Sequence, residues 1–208
     1  MTLHDASEGP FPTNKERAST VTLLSPEVYF KMLLHAFRYA HPERNSEDWV
    51  EVIGLLTGTV TNPNTPTERL FVTQAWPIGH GSAVGVTINN YGKVLTRVLE
   101  EKEEGTEILG WYHTHPGYGV WMSHTDYRTH LSYQRMYDRA VAVVLDPTLV
   151  SSLYLGFEVF RLELPRLNRF EVLRPAITDN FSPKTIPALV KHLAQKAMTD
   201  GLLDELDH

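Results

Sequence analysis

Two histidines that lie two residues apart, His113 and His115, have the side chains and the spacing to bind a metal ion together. They end a mostly apolar stretch, Ile108 to His115, whose composition predicts a β-strand. Because side chains alternate between the two faces of a strand, both imidazoles point to the same side. Two ordinary exposed histidines would give the same pattern, so the metal interpretation depends on neighbouring residues.

A serine and an aspartate follow at the start of the next predicted helix, Ser123 to Tyr137. At a spacing of three, Ser123 and Asp126 share one face of that helix. Ser-x-x-Asp is also the pattern of a capping box, with Asp in place of the usual Glu or Gln. The two roles are compatible, because a capping serine still presents its hydroxyl and an aspartate can bind a metal through one oxygen.

One carboxylate, Glu51, interrupts an apolar strand predicted from Val50 to Val60. Burying a carboxylate without a partner is unfavourable enough to demand a compensating group or a shift to the neutral form. Glu51 therefore either forms a structural salt bridge or faces a water molecule that a metal activates. The sequence leaves both interpretations open at this point.

Together these residues form the ligand set of a catalytic zinc site. Two His and one Asp supply three ligands and leave a fourth position open for water, whereas structural zinc sites are closed. Glu51 would carry the proton, and Ser123 would supply a hydroxyl donor. The chain has no cysteine, which excludes zinc–thiolate sites, disulfides and a cysteine nucleophile.

The remaining sequence mixes predicted helices and strands, which indicates an α/β domain with a sheet covered by helices. Ser25 and Pro26 predict a helix start, because serine caps the first turn and proline fits its first position. Apolar spacing and turn residues place the other elements. These are a helix to about Ala40, a return strand Leu70 to Trp76, a loop Gly79 to Gly85, a helix Tyr91 to Glu104, a buried strand Ala140 to Leu145, a last strand Leu153 to Leu162, and helices within Ile186 to Leu206.

Composition narrows the function classes further. The 208 residues carry a formal net charge of −6 and no Lys/Arg cluster, which argues against a nucleic-acid partner. No apolar run approaches the roughly 20 residues that a membrane span requires. Residues 1–17 lack the apolar segment of a signal peptide, so we expect a cytoplasmic protein.

The stretch from Glu51 to Gly58 and the pattern His113-x-His115 followed by Ser123-x-x-Asp126 resemble the JAMM motif of the MPN+ metalloprotease family. The flanking segments are most similar to the branch with the proteasome-lid deubiquitinase subunit and the COP9 signalosome deneddylase subunit. These segments are Gly110 to Tyr112, Val141 to Pro147 and Phe157 to Leu162.

The resemblance covers about residues 21–165. It implies an N-terminal flexible tail (1–20), an MPN+ catalytic domain (21–165) and a C-terminal helical extension (166–208). The implied fold is the cytidine-deaminase-like MPN fold, a curved mixed β-sheet flanked by helices. The implied zinc ligands are His113, His115 and Asp126, with Glu51 activating water and Ser123 hydrogen-bonding the oxyanion.

The resemblance also implies a substrate. Family members that cleave ubiquitin pair an insertion, here Gly79 to Asn89, with the extended C-terminal tail of the modifier. We therefore expect an isopeptidase that cuts at the C-terminal glycine of ubiquitin or a ubiquitin-like protein, with a proteasome or another MPN subunit as partner. The expected substrate-binding residues are Ser82, Ala83, Val84, Gly85, Val86 and Trp121.

Three alternatives stay in view. A JAMM peptidase could process a sulphur-carrier-like or precursor protein, which would differ in the insertion and the substrate tail. A non-catalytic MPN scaffold subunit would generally lack part of the motif, and all five motif positions are present here. A deaminase on a similar fold would need cysteine ligands, which this chain lacks.

The sequence departs from the family pattern at two places. Val120 stands where the nearest branch usually has Cys, and the second insertion, after Pro147, is short.

Overall fold

The computed structural model describes residues 21–41, 45–82, 85–86, 91–163, 169–178 and 188, with the backbone alone for residues 82, 85, 86, 91 and 174. Within these ranges the chain forms eight strands and three α-helices. They are β1 (Val21–Leu24), α1 (Pro26–Tyr39), β2 (Glu51–Thr61), β3 (Arg69–Ser82), β4 (Gly85–Val86), α2 (Tyr91–Glu101), β5 (Glu107–Thr114), α3 (His124–Met136), β6 (Val141–Leu145), β7 (Phe157–Leu162) and β8 (Phe170–Ile177).

The strands form one mixed sheet in the order β1-β8-β7-β6-β5-β2-β3-β4. Strand β5 runs parallel to β6, and β1 runs parallel to both β8 and β3, while the other pairs are antiparallel. Because β1 pairs with both β8 and β3, the sheet curves until it is nearly closed. The predicted α/β fold with a curved mixed sheet flanked by helices is confirmed.

The helices cover the two faces of the sheet, and each face has its own apolar core. Helix α1 begins at the Ser25 cap, whose side chain accepts a hydrogen bond from the Val28 N–H, and Pro26 occupies the first turn as predicted. Its buried face packs on one side of the sheet together with Tyr112 of β5. Residues of α2 and α3 pack on the other side, around Trp111.

Two predictions for the sheet are wrong. Residues 79–82 do not form a loop, because β3 continues to Ser82 and turns back into β4. The strand ending at Leu162 is not the last one, since Phe170–Ile177 adds β8 between β7 and β1. Sequence patterns miss β8 because it contains Pro175, and proline is rare within strands. The sheet therefore extends beyond the boundary that we placed between residues 165 and 166.

The predicted tail, residues 1–20, and the predicted C-terminal helices lie outside the described residues, apart from residue 188. Across the part of the chain that the structure describes, none of the helices combines the length and the apolar character that spanning a bilayer requires.

Candidate metal centre

Three chain segments meet at one end of the sheet. Strand β5 carries His113 and ends at Thr114, and His115 follows directly, with its N–H donating to the Leu145 carbonyl at the end of β6. Strand β2 pairs antiparallel with β5 so that Ile53 lies opposite His113. Glu51, two residues earlier, therefore projects past the end of β5 beside His115.

The two imidazoles and Asp126 face one another across a few ångströms. The Nε2 atoms of His113 and His115 lie 3.1 Å apart. The Asp126 carboxylate spans both rings, with Oδ1 3.3 Å from Nε2 of His113 and Oδ2 3.4 Å from Nε2 of His115. All three side chains are buried. Each of the three residues offers one potential ligand atom, and these atoms all lie within 4.8 Å of one another.

This spacing fits a zinc ion. Zinc bound tetrahedrally at about 2.0–2.1 Å from nitrogen and oxygen ligands holds those atoms about 3.3–3.4 Å apart. The measured separations of 3.1, 3.3 and 3.4 Å therefore need only small adjustments to receive the metal. His113, His115 and Asp126 would hold it.

Ser123 and Asp126 form the capping box, and Asp126 also reaches the two imidazoles. The Ser123 N–H donates to Asp126 Oδ2 at 2.7 Å, and the Asp126 N–H donates to Ser123 Oγ at 3.2 Å. Capping therefore fixes the carboxylate at the first turn of α3 while Oδ1 still points at His113. The cap uses a lone pair of Ser123 Oγ, so the O–H hydrogen stays available as a donor.

Glu51 belongs to this centre. Its Oε1 lies 3.9 Å from Nε2 of His115, and its side chain is 16% exposed. Burial raises the pKa of Glu51 to about 7, with the Asp126 charge adding to the increase and His115 opposing it. Among the described residues, the ion-pair partner of Glu51 is therefore His115, a predicted metal ligand, and not a lysine or arginine of a structural salt bridge.

The other ionisable groups of the site are set by burial and by one another. Burial lowers the pKa of His113. Burial would also lower the pKa of His115 and raise that of Asp126, but their mutual hydrogen bond and opposite charges outweigh it. The pKa of His115 is therefore raised, and that of Asp126 lies well below its usual range. A metal cation would take the place of the protons that the two imidazoles share with the carboxylate.

Aromatic residues behind the site hold His113 in place, and sequence reasoning did not assign them this role. The Trp111 ring stacks on His113, with ring centroids 4.6 Å apart and planes 16° from parallel. The Trp111 Nε1–H donates to Nδ1 of His130, a fully buried residue whose pKa burial lowers to about 3. His130 lies four residues after Asp126, and this spacing places both side chains on the inward face of α3.

The predicted substrate-binding residues are only partly described. Backbone pairing of Ser82 with Gly85 and of Gly81 with Val86 forms a hairpin, and Gly81 pairs with Glu51 on the other side. Ala83 and Val84 lie outside the described residues.

The Trp121 ring lies beside the imidazole of His115. Its ring centroid lies 5.4 Å from that of His115, and 52% of its surface is exposed.

Comparison with known proteins identifies the family to which the chain belongs. The model of the family described as JAB1/Mov34/MPN/PAD-1 ubiquitin protease matches residues 17–139. The chain is 30% identical over 155 residues to the 26S proteasome regulatory subunit RPN11 of Candida glabrata, covering 74% of this chain and 47% of the relative. It is 32% identical over 148 residues to rpn11 of Schizosaccharomyces pombe, covering 71% and 45%.

A third relative, from Saccharomyces cerevisiae, carries the name ubiquitin carboxyl-terminal hydrolase RPN11 and is 29% identical over 161 residues, or 77% of this chain and 49% of the relative. The chain thus spans about half the length of the curated relatives it matches. The family match covers more than half of the chain and includes all five residues of the centre. By this match the chain belongs to the JAB1/Mov34/MPN/PAD-1 family, the one that its histidine, aspartate, glutamate and serine pattern resembles.

Proposed function

We propose that this protein is a zinc-dependent isopeptidase that removes ubiquitin or a ubiquitin-like modifier by hydrolysis at the modifier's C-terminal glycine. The observation that carries the proposal is the convergence of His113, His115 and Asp126 at zinc-ligand spacing with Glu51 beside them. The family match and a relative named ubiquitin carboxyl-terminal hydrolase support this substrate class.

The residues of the centre divide the chemistry among them. Zinc, when bound, would supply a Lewis acid that polarises the scissile carbonyl and acidifies water. Glu51 takes the proton of the attacking water and passes it to the departing lysine nitrogen, a task that suits a pKa of about 7. The Ser123 hydroxyl donates to the carbonyl oxygen as negative charge develops there, and losing one such donor typically costs roughly 10²–10³ in rate.

The hairpin beside Glu51 would bind the substrate chain. Strand β4 is the terminal strand in the sheet order, so its outer backbone groups could pair with an extended modifier tail. Glu51 pairs with Gly81 of this hairpin, so the hairpin begins beside the proposed proton carrier. Ser82, Ala83, Val84, Gly85 and Val86 remain the proposed tail-binding segment, and Trp121 would cover the tail from the other side.

The partners follow from the relatives. Two of them are named as 26S proteasome regulatory subunits, so we propose that this protein works with a proteasome or with another MPN subunit. A cytoplasmic location likewise stays a prediction. Co-purification with proteasomes from native lysate, followed by mass spectrometry of the associated subunits, would test the association.

A cleavage assay on purified protein tests the activity. The substrates are ubiquitin and ubiquitin-like proteins joined through Gly-Gly to a lysine or a reporter, with and without a zinc chelator. We expect hydrolysis that the chelator abolishes and that Glu51→Gln reduces at least about 10³-fold, while zinc content is unchanged. Near-wild-type turnover by that variant would refute the role of Glu51. Cleavage restricted to a sulphur-carrier-like fusion would favour the precursor-processing alternative.

A further inference from the structure

The loop from Pro116 to Met122 connects the two elements that carry the metal ligands. Strand β5 places His113, with His115 directly after it, and α3 places Asp126. The two elements contact each other through the hydrogen bond from Trp111 to His130, and the loop is the covalent connection between them. The loop contains two glycines in left-handed conformations, Gly117 at φ 79° and Gly119 at φ 85°. Glycine adopts such angles freely and also leaves them freely, so the loop's shape needs an external support.

That support is a single buried carboxylate, Asp146, which is 1% exposed. Its Oδ1 accepts the Gly117 N–H at 3.0 Å, and its Oδ2 accepts the Gly119 N–H at 2.8 Å. Oδ1 also accepts the N–H and the hydroxyl of Thr148, at 2.9 and 2.7 Å. Four donors thus surround one carboxylate, and hydrogen bonds to a charged acceptor are about twice as strong as neutral ones.

The sheet topology places Asp146 at this point. Strands β5 and β6 are parallel neighbours, so their carboxyl ends meet at the same edge, and Thr114 pairs with Leu145. Asp146 follows β6 as His115 follows β5. The Trp49 ring also lies against Gly117, with Cζ3 3.5 Å from the position that a Cβ atom would take. The loop therefore contacts both a buried carboxylate and an aromatic ring.

We propose that Asp146 is a positioning residue of the metal centre. By binding Gly117 and Gly119, it fixes the loop path and thereby the distance between His115 and Asp126. It also keeps Trp121 against His115, since Trp121 donates its Nε1–H to the Tyr118 carbonyl within the same loop. The effects on hydrolysis and on zinc affinity rest on the proposed function, whereas the effect on loop order does not.

The test compares Asp146→Asn and Asp146→Ala with two controls. Thr148→Val removes one hydrogen bond to the same carboxylate without touching the loop. Glu68→Gln weakens a buried ion pair with Arg161 elsewhere in the sheet, so it lowers global stability without changing the loop. Asp146→Asn keeps an acceptor oxygen for Gly117 and loses the one for Gly119, which makes it the milder variant if Asp146→Ala fails to fold.

The first readout is chymotrypsin cleavage after Tyr118 and Trp121 in the metal-free protein, mapped by mass spectrometry. Both side chains are exposed, at 64% and 52%, so the order of the backbone limits cleavage. We expect cleavage at these two bonds to rise at least about tenfold in Asp146→Asn and to stay unchanged in both controls. The second readout is zinc affinity by chelator competition, which we expect to fall about 10- to 100-fold in the Asp146 variants alone.

Unchanged loop cleavage and zinc affinity in both Asp146 variants would overturn the inference. Equal changes in Glu68→Gln would overturn it as well, because they would trace to global stability. If the wild-type protein binds zinc with a protected loop but hydrolyses no modifier, the proposed function fails and the role of Asp146 stands. If Asp146→Asn releases the modifier with wild-type kcat and KM, binds zinc as tightly as wild type and keeps its loop protected, this inference fails and the proposed function stands.

Discussion

Replacing Glu51 by glutamine should stabilise the metal-free protein. The Glu51 carboxyl is 16% exposed, and burial raises its pKa from 4.5 to about 7. An acid with a raised pKa in the folded state makes folding less favourable once the unfolded chain has ionised. Glutamine has nearly the same shape and no charge, so Glu51→Gln removes this cost and leaves the packing in place.

The size and the pH dependence of the effect follow from the same numbers. A pKa raised from 4.5 to about 7 corresponds to about 3 kcal/mol against the ionised form. Because part of the carboxyl still contacts solvent, we reduce the expected gain to about 2 kcal/mol. The gain is absent below pH 4.5, where both folded and unfolded carboxyls are protonated. It grows as pH rises from 4.5 to about 7 and is constant above that.

Urea unfolding of chelator-treated wild type and Glu51→Gln at pH 4, 6 and 8 measures the effect, since the linear extrapolation gives both free energies. The exposed Glu100 offers a matched control, and Glu100→Gln should change stability by less than about 0.5 kcal/mol at each pH. A Glu51→Gln variant that is no more stable than wild type at pH 8 would contradict the buried, neutral-favouring environment of this carboxyl.

Three further predictions concern single sites. His113→Ala should retain less than about a tenth of the wild-type zinc by metal analysis, while the exposed His124→Ala retains it all; full occupancy in the first variant would refute the ligand assignment. Glu68→Gln should lower the free energy of unfolding by about 3 kcal/mol in urea, because Arg161 is 1% exposed and 3.4 Å from this carboxylate; a loss below about 1 kcal/mol would contradict the importance of the pair. Trp121→Ala should raise KM about tenfold with little change in kcat if its ring contacts bound substrate, and a fall in kcat alone would exclude this role.

Local patterns were sufficient for several elements of the structure. The Ser25 cap and the apolar spacing after it predicted α1, and the continuous apolar run from Ala140 to Leu145 predicted β6. These predictions succeed because capping and periodic burial act within a few residues of sequence. The pattern Ser123-x-x-Asp126 likewise predicted a capping box, which the structure contains together with the turn of the carboxylate toward the imidazoles.

Other features depend on segments that are distant in sequence. Strand β8 has no clear signal of its own, and it exists because β7 and β1 supply hydrogen-bonding partners on both sides. The hairpin of β3 and β4 was predicted as a loop for the same reason, since β2 is long enough to continue pairing as far as Gly81.

The sequence by itself determined which residues could bind a metal, because their types and short spacings place His113 with His115 and Ser123 with Asp126. It could not determine that Glu51 would meet His115, because that contact depends on the register of β2 against β5. The role that we propose for Asp146 likewise depends on the parallel pairing of β5 and β6. Strand register and strand order are decided by packing over the whole sheet, and this packing is a property of the tertiary structure alone.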